Sequence, residues 1–341
     1  MANKKLKING TLLLNSDAKG LNRAAALIRG GGIVAFPTET VYGLGASALD
    51  VTALEKIFKA KGRPSDNPLI VHIAAFSQLE QVAVDVPERA EKLAEYFWPG
   101  PLSLVLPKSR AIPDLVSGGL ATVAVRMPDH PVALELIRRA GVPLAAPSAN
   151  RSGRPSPTSY QHVLEDLTGR IDAVLKARSC KIGVESTVLD LTGSVPVILR
   201  PGGISREALE EALGCRLLVA GTGLDTERPS SPGMKYRHYS PRAPLLLITG
   251  TLEQRHRLME ELGAYYRSRG FKIGTIFAAA AGAGSSLDIQ QRYAARLYRV
   301  LRRMDTEGVD LIVAEATEKE GLGLAVMNRL FKAAVRVLKV F

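Results

Sequence analysis

Ile33-Val34-Ala35-Phe36-Pro37-Thr38-Glu39-Thr40-Val41-Tyr42-Gly43-Leu44-Gly45 opens on four apolar residues and closes on hydroxyls and glycines. The apolar run reads as a short buried strand. Upstream, Leu21, Ala24, Ala25 and Ile28 recur at helical spacing and predict a helix over 21–29, stopped by Gly30-Gly31-Gly32. The same alternation continues downstream. Helices are expected at 52–60, 87–97 and 131–140, and strands at Leu69–Ile73, Leu102–Leu106, Thr122–Val125 and Leu144–Ala146. Interleaved strands and helices predict an α/β or α+β architecture. Hydroxyls at a strand end followed by glycines suit a small polar ligand. Taken alone, the stretch also reads as a turn whose threonines bond their own backbone.

Composition narrows the field. The chain has 341 residues, long enough for about two domains. With 46% hydrophobic and 23% charged residues, it is globular in character. Aromatic residues make up 5%, with one Trp, which argues against a protein that stacks bases on exposed rings. The formal charge of +12 is spread along the chain rather than gathered in one tail, which fits a protein that handles anions or merely a basic background. Cys180 and Cys215 form no CxxC pair, so a structural zinc site or disulfide scaffold is not expected. The basic start Met1-Ala2-Asn3-Lys4-Lys5-Leu6-Lys7 leads into no apolar signal core, and no run approaches the ~18 apolar residues of a membrane span. A cytoplasmic protein that engages no membrane is expected.

A compositional break falls near residues 220–244, where Arg228-Pro229-Ser230-Ser231-Pro232-Gly233 has linker character. The following Met234-Lys235-Tyr236-Arg237-His238-Tyr239-Ser240-Pro241 is too rich in Tyr, His, Lys and Arg for a plain spacer. It is read as a connector that touches a ligand or a domain surface. Beyond it, strands at Leu245–Ile248, Lys272–Phe277 and Asp310–Ala314 alternate with helices at 252–269, 287–304 and 321–338, and Ala278 to Gly284 reads as a loop. This β-α-β-α-β-α order predicts a small parallel, doubly wound domain. The expected division is a domain over 1–217, a linker over 218–243 and a second domain over 244–341.

None of the common nucleotide or hydrolase motifs is present: no GxxxxGK[ST], no GxGxxG after a strand, no HExxH and no GxSxG. What recurs is a strand followed by polar residues and then Gly or Pro. Lys61-Gly62-Arg63-Pro64-Ser65-Asp66-Asn67 places two cations in one turn, a pairing suited to a polyphosphate or simply a solvated loop. His72 lies in an apolar strand, where a hydrogen-bonded core histidine is the ordinary outcome. Arg126 closes another apolar strand, and a buried Arg needs an anionic partner, from the protein or from a ligand. Ala146-Pro147-Ser148-Ala149-Asn150-Arg151, Gly183-Val184-Glu185-Ser186-Thr187 and Leu199-Arg200-Pro201-Gly202-Gly203 repeat the form. Open α/β sheets build ligand crevices at strand ends in this way.

Together, Thr38–Gly45, Lys61-Gly62-Arg63, Pro147-Ser148-Ala149-Asn150 and Glu185-Ser186-Thr187-Val188 resemble the YrdC/Sua5 family, with Lys61-x-Arg63 and Ser148-x-Asn150 matching its KxR and SxN signature. The 231–241 segment followed by a small α/β domain is similar to the longer, Sua5-type members. The resemblance implies an N-terminal twisted open-sheet domain with a concave basic cavity, a small Rossmann-like C-terminal domain, and an interdomain loop that closes over the cavity. It implies L-threonylcarbamoyladenylate synthase activity, a nucleotidyl transfer in which L-threonine, bicarbonate or CO2 and ATP give threonylcarbamoyl-AMP and pyrophosphate, the first step of the t6A modification of tRNA. Mg²⁺ is expected through the phosphates, with no protein metal site. The product is expected to pass to the t6A transferase machinery, and weak tRNA binding is compatible with the charge. Carried over residue by residue, Lys61, Arg63, Ser148 and Asn150 form the catalytic cluster. Thr40, His72, Arg126, Ala146 and Ser186 are expected on threonine, with Arg126 on its carboxylate. Arg63, Asn67, Thr122, Ser148, Ser156 and Arg200 are expected on ATP, joined by His238 and Tyr236 from the linker. Rival readings are an RNA-binding module, a carbamoyl-phosphate-dependent carbamoyltransferase, and a C-terminal domain that serves as an interaction platform.

Overall fold

The computed structural model describes residues 7–220, 239–278 and 285–340. Their contacts divide the chain into two compact units, Met1–Ser152 with Ser156–Lys235, and Gly153–Pro155 with Tyr236–Phe341.

The first unit is built on one mixed sheet. Its strands are Lys7–Ile8 (β1), Thr11–Asn15 (β2), Val34–Phe36 (β3), Gly43–Ser47 (β4), Ile70–His72 (β5), Leu102–Pro107 (β6), Thr122–Arg126 (β7), Leu144–Ala145 (β8), Ala173–Lys176 (β9), Thr187–Asp190 (β10), Val197–Arg200 (β11) and Leu218–Val219 (β12). They lie in the order β1-β2-β9-β3-β4-β8-β5-β7-β6-β10-β11-β12. The register sets two faces. In β7, β6 and β5, the residues Val123, Val125, Leu102, Leu104, Leu106 and Val71 join the large core under the helices Leu79–Val82, Glu88–Phe97 and Arg206–Leu213. Successive side chains point to opposite faces of a strand. Ile70, Ala124, Val105 and Val188 therefore form a separate apolar patch on the other face, in line with Thr122, Arg126, His72 and Ser103. One face is thus all aliphatic, while the other mixes small, hydroxyl and charged residues.

Gly43-Leu44-Gly45-Ala46-Ser47 sits inside a stretch that reads as a turn, yet it forms a fully buried central strand, paired antiparallel with β3 and β8. Glycine is depleted in strands, so propensity gives no signal there. Thr38 to Val41 do form the turn, with the Thr38 hydroxyl donating to Val41 O and accepting from the Thr40 and Val41 N–H groups.

The second unit holds a parallel sheet of Leu245–Thr249 (β13), Ile273–Ile276 (β14), Leu311–Glu315 (β15) and Arg336–Lys339 (β16), in the order β14-β15-β13-β16. Its helices are Leu252–Arg267, Ser286–Glu307 and Gly323–Ala333. The first two begin at Thr251 and Ser285 with reciprocal capping boxes. Both expected fold features are present: a large mixed α/β sheet and a separate parallel α/β sheet. The expected helix over 321–338 is corrected. It ends at Ala333, and Arg336–Lys339 becomes a fourth strand beside β13. Val335, Val337 and Val340 favour extended backbone, and pairing with β13 supplies the hydrogen bonds that a last helical turn would have made.

Leu104 is fully buried in the middle of β6. Leu104→Ala is expected to lower unfolding free energy by about 2–5 kcal/mol, read as a lower urea midpoint at unchanged slope.

Candidate active site

Helix Val51–Lys61 starts at Asp50, whose carboxylate accepts from Ala53 N–H, and ends at Gly62 with φ +61°. That left-handed residue favours glycine, and it turns the chain so that Arg63 N–H returns to Phe58 O. Lys61 is thereby the last residue of the helix, and Arg63 is the first beyond the turn. The Lys61 ammonium donates to the carbonyls of Ser148 and Asn150, each at 2.5 Å. Between them, Ser148 Oγ donates to Asn150 Oδ1 at 2.5 Å. The KxR and SxN segments, 87 residues apart, are therefore one hydrogen-bonded unit. Arg63 donates to the carbonyls of Asn67 and Pro68 and so shapes the loop that carries Asn67. Asn67 is almost wholly buried, and its Oδ1 has no hydrogen-bond partner among the described residues. A buried amide oxygen without a donor is costly unless a ligand or water supplies one.

A second cluster gathers around Arg126. Its Nε donates to Gly100 O and its Nη1 to Thr40 Oγ1, both at 3.1 Å. Its Nη2 stands 2.5 Å from Glu39 Oε1, close in distance but out of line for a hydrogen bond. The anionic partner of this buried Arg is thus a protein carboxylate. His72 pairs in register with Arg126 and presents to the same face. Its Nδ1 lies 3.1 Å from Ile70 O, and its ring meets Phe36 edge-on. Burial, aided by the Arg126 charge, pulls its pKa from 6.5 down to about 3, so the ring is neutral at physiological pH. Ala146 stands beside these groups with its N–H on Ile70 O.

The third cluster forms where β10 begins. Arg200 donates through Nε and Nη2 to Ser186 O and through Nη2 to Ser186 Oγ, and Ser186 Oγ lies 2.8 Å from Ser103 Oγ. Ser156 Oγ donates to Glu185 Oε1 at 2.5 Å. Gly202 lies so close to this turn that a Cβ would stand 2.2 Å from the Ser186 carbonyl carbon, so only glycine fits. Backbone bonds from Ile182 N–H to Glu39 O and from Gly183 N–H to Thr40 O join this cluster to the second. Thr122 is on the Arg126 face of β7 and half-buried. His238 and Tyr236 lie outside the described residues. Among the described residues, no three His, Cys, Asp or Glu side chains are grouped to hold a metal ion, and no helix is long and apolar enough to cross a membrane.

Residues 26–202 match the Sua5/YciO/YrdC domain, described as "Telomere recombination", and residues 204–335 match the "Threonylcarbamoyl-AMP synthase, C-terminal domain". The chain belongs to the Sua5/YciO/YrdC family. It is similar to a threonylcarbamoyl-AMP synthase of Pyrococcus abyssi, 52% identical over 322 residues that cover 93% of this chain and 95% of the relative. A threonylcarbamoyl-AMP synthase of Bacillus subtilis is 47% identical over 344 residues, covering 98% of each. The crystal structure of P. abyssi Sua5 complexed with L-threonine superposes with a TM-score of 0.92 at 49% identity, covering 97% of this chain and all of that one. Escherichia coli YciO, at 23% identity and a TM-score of 0.51 over 56% of this chain, shares the fold.

Residue-level reasoning left Glu39, Glu185, Gly100 and Ser103 without roles. Glu39 and Glu185 sit inside quoted motifs, and Ser103 is the one polar residue in Leu102–Leu106. Those signals were available. The Gly100 carbonyl gives none, because any residue has a carbonyl.

The low His72 pKa has a sign. Between about 3 and 6.5 the unfolded chain binds a proton at this ring and the folded chain does not. Stability from this group is therefore present above 6.5 and declines as pH falls toward 3. Urea unfolding at pH 7, 6 and 5 should show that decline, and His72→Gln should flatten it by about one proton. Nuclear magnetic resonance of the wild-type ring should show no titration between pH 5 and 8.

Proposed function

We propose that this chain is a threonylcarbamoyl-AMP synthase acting in the cytoplasm. It would join L-threonine, bicarbonate-derived CO2 and ATP into threonylcarbamoyl-AMP with release of pyrophosphate, a nucleotidyl transfer that opens t6A synthesis. The observation that supports this best is the set of buried cations Lys61, Arg63, Arg126 and Arg200 together with the Asn67 oxygen that has no donor among the described residues, in a chain nearly collinear with enzymes of that name.

The threonine amine adds to CO2, and the carbamate oxygen attacks the α-phosphorus as the bond to pyrophosphate breaks. Both reactants are anionic, so the work is charge neutralisation and positioning by fixed donors. Thr40, His72, Arg126, Ala146 and Ser186 contact threonine. Arg126 is committed to Gly100, Thr40 and Glu39 in the structure, so the substrate carboxylate adds to a guanidinium that is already oriented. Arg63, Asn67, Thr122, Ser148, Ser156 and Arg200 contact ATP, and His238 and Tyr236 join from the linker. Lys61 braces the Ser148–Asn150 turn. Mg²⁺ would be held through the phosphate oxygens of ATP, where it would offset their charge. The product is a reactive mixed anhydride, which suits direct hand-over to a t6A transferase.

Pyrophosphate release should require threonine, bicarbonate and ATP together, and the nucleotide product should have the mass of threonylcarbamoyl-AMP. ATP left intact under all conditions overturns the reading. Arg126→Lys keeps a charge opposite Glu39 and loses the planar fork. It should raise the KM for threonine about 10- to 100-fold and leave that for ATP within about threefold. Equal changes in both would remove Arg126 from the threonine site.

A further inference from the structure

Glu39 is the one group in the Arg126 cluster that this mechanism does not use. It is buried, 6% exposed, and its two carboxylate oxygens accept no hydrogen bond from any described residue. Its Oε1 faces Arg126 Nη2 as an ion pair. A buried carboxylate ordinarily takes several donors, and one that takes none has room for a donor from a ligand. The position of the loop carrying it is not free to drift: Glu39 O is held by Ile182 N–H, and the neighbouring Thr40 hydroxyl is held by Arg126.

Resting on the synthase reading, we propose that the Glu39–Arg126 ion pair reads the amino-acid zwitterion, with Glu39 holding the substrate ammonium and taking its proton. An ammonium has no lone pair and cannot attack CO2. An N–H bond of the ammonium breaks, its electron pair stays on nitrogen, and the proton bonds a Glu39 oxygen. The nitrogen pair then forms the C–N bond to CO2 while a C=O π pair moves onto oxygen. The second proton leaves to water as the carbamate forms. The other charged or nucleophilic groups here are poor acceptors. His72 already has its Nδ1 on the Ile70 carbonyl, and Lys61, Arg63 and Arg200 are donors only. Glu185 already accepts from Ser156.

The groups facing Glu39 leave a clear window for the test. Arg126 approaches from β7, and Cys180, whose thiol burial pushes up to about 12, feels the Glu39 charge. His130, at the start of helix Pro131–Ala140, also feels it and Lys181, and burial holds its pKa below 6.5. Neither the thiol nor either histidine titrates between pH 7 and 9.

The test compares wild type and Glu39→Gln in threonine-dependent pyrophosphate release from pH 7 to 9. Gln keeps the shape and an oxygen for Arg126 but cannot take a proton. Wild type should change little across the range. Glu39→Gln should fall about 10²- to 10⁴-fold at pH 7 and recover about tenfold per pH unit, as solution deprotonation of threonine replaces the missing base. Glu39→Asp should keep the flat profile at reduced rate. Loss by one factor at every pH, or full activity of Glu39→Gln, overturns the proposal and leaves the synthase reading standing. If Glu39→Gln does not fold, wild-type binding decides. 3-Hydroxybutanoate, which lacks the ammonium, should bind at least about tenfold more weakly than threonine, and equal affinity overturns the proposal. A wild type that releases no pyrophosphate with all three substrates overturns the synthase reading and this one with it.

Discussion

A guanidinium buried to 3% exposure at the end of β7 imposes the strictest demand in the first unit. Removing such a charge from water costs several kcal/mol unless its donors are met. Arg126 draws on two segments: it donates to the Gly100 carbonyl ahead of β6 and to the Thr40 hydroxyl in the turn after β3, and the Glu39 carboxylate beside Thr40 faces it as an ion-pair partner. Those segments must converge for the residue to be buried at all. Their convergence brings the Glu185–Ser186 turn with them, through backbone bonds to residues 39 and 40. The same charge helps hold His72 neutral one strand away. A hydrogen-bonding obligation at one residue thus organises a site drawn from distant parts of the chain.

The sheet supplies the platform on which this happens. Because strand side chains alternate, one set of residues in β5, β6 and β7 can be Val and Leu for the core while the other set is Ile70, His72, Ser103, Val105, Thr122, Ala124 and Arg126. Division of labour by face lets one short strand both fold the protein and line the candidate site. The glycines follow the same logic. Gly62 permits the reversal that sets Lys61 and Arg63 on either side of a helix end, and Gly202 permits the backbone to close on Ser186.

Much of this was legible beforehand. The Lys61–Arg63 and Ser148–Asn150 signatures, and the apolar strands ending in His72 and Arg126, are local patterns, and local patterns survive in a linear text. Gly43-Leu44-Gly45 has no strand propensity and reads as a turn, and its burial as β4 comes from β3 and β8 on either side. The end of the last helix is hidden in the sequence for a related reason. Arg336–Lys339 becomes a strand because β13 offers an edge, and that edge is about 90 residues away in the chain.

The sequence by itself determined the alternating helices and strands, the two-unit α/β organisation, the family, and the residue types at the strand ends. Those follow from periodicity, glycine and proline placement, and short motifs, all of which act over a few residues. Tertiary structure alone decided the partners. It set Glu39 opposite Arg126, spent the Lys61 ammonium on two carbonyls, and left the carboxylate oxygens of Glu39 and the Oδ1 of Asn67 without donors among the described residues. Such outcomes depend on which buried groups meet across 80 or more residues, as in the 86-residue step from Thr40 to Arg126. Desolvation and hydrogen-bond satisfaction are evaluated only once the chain has closed around them.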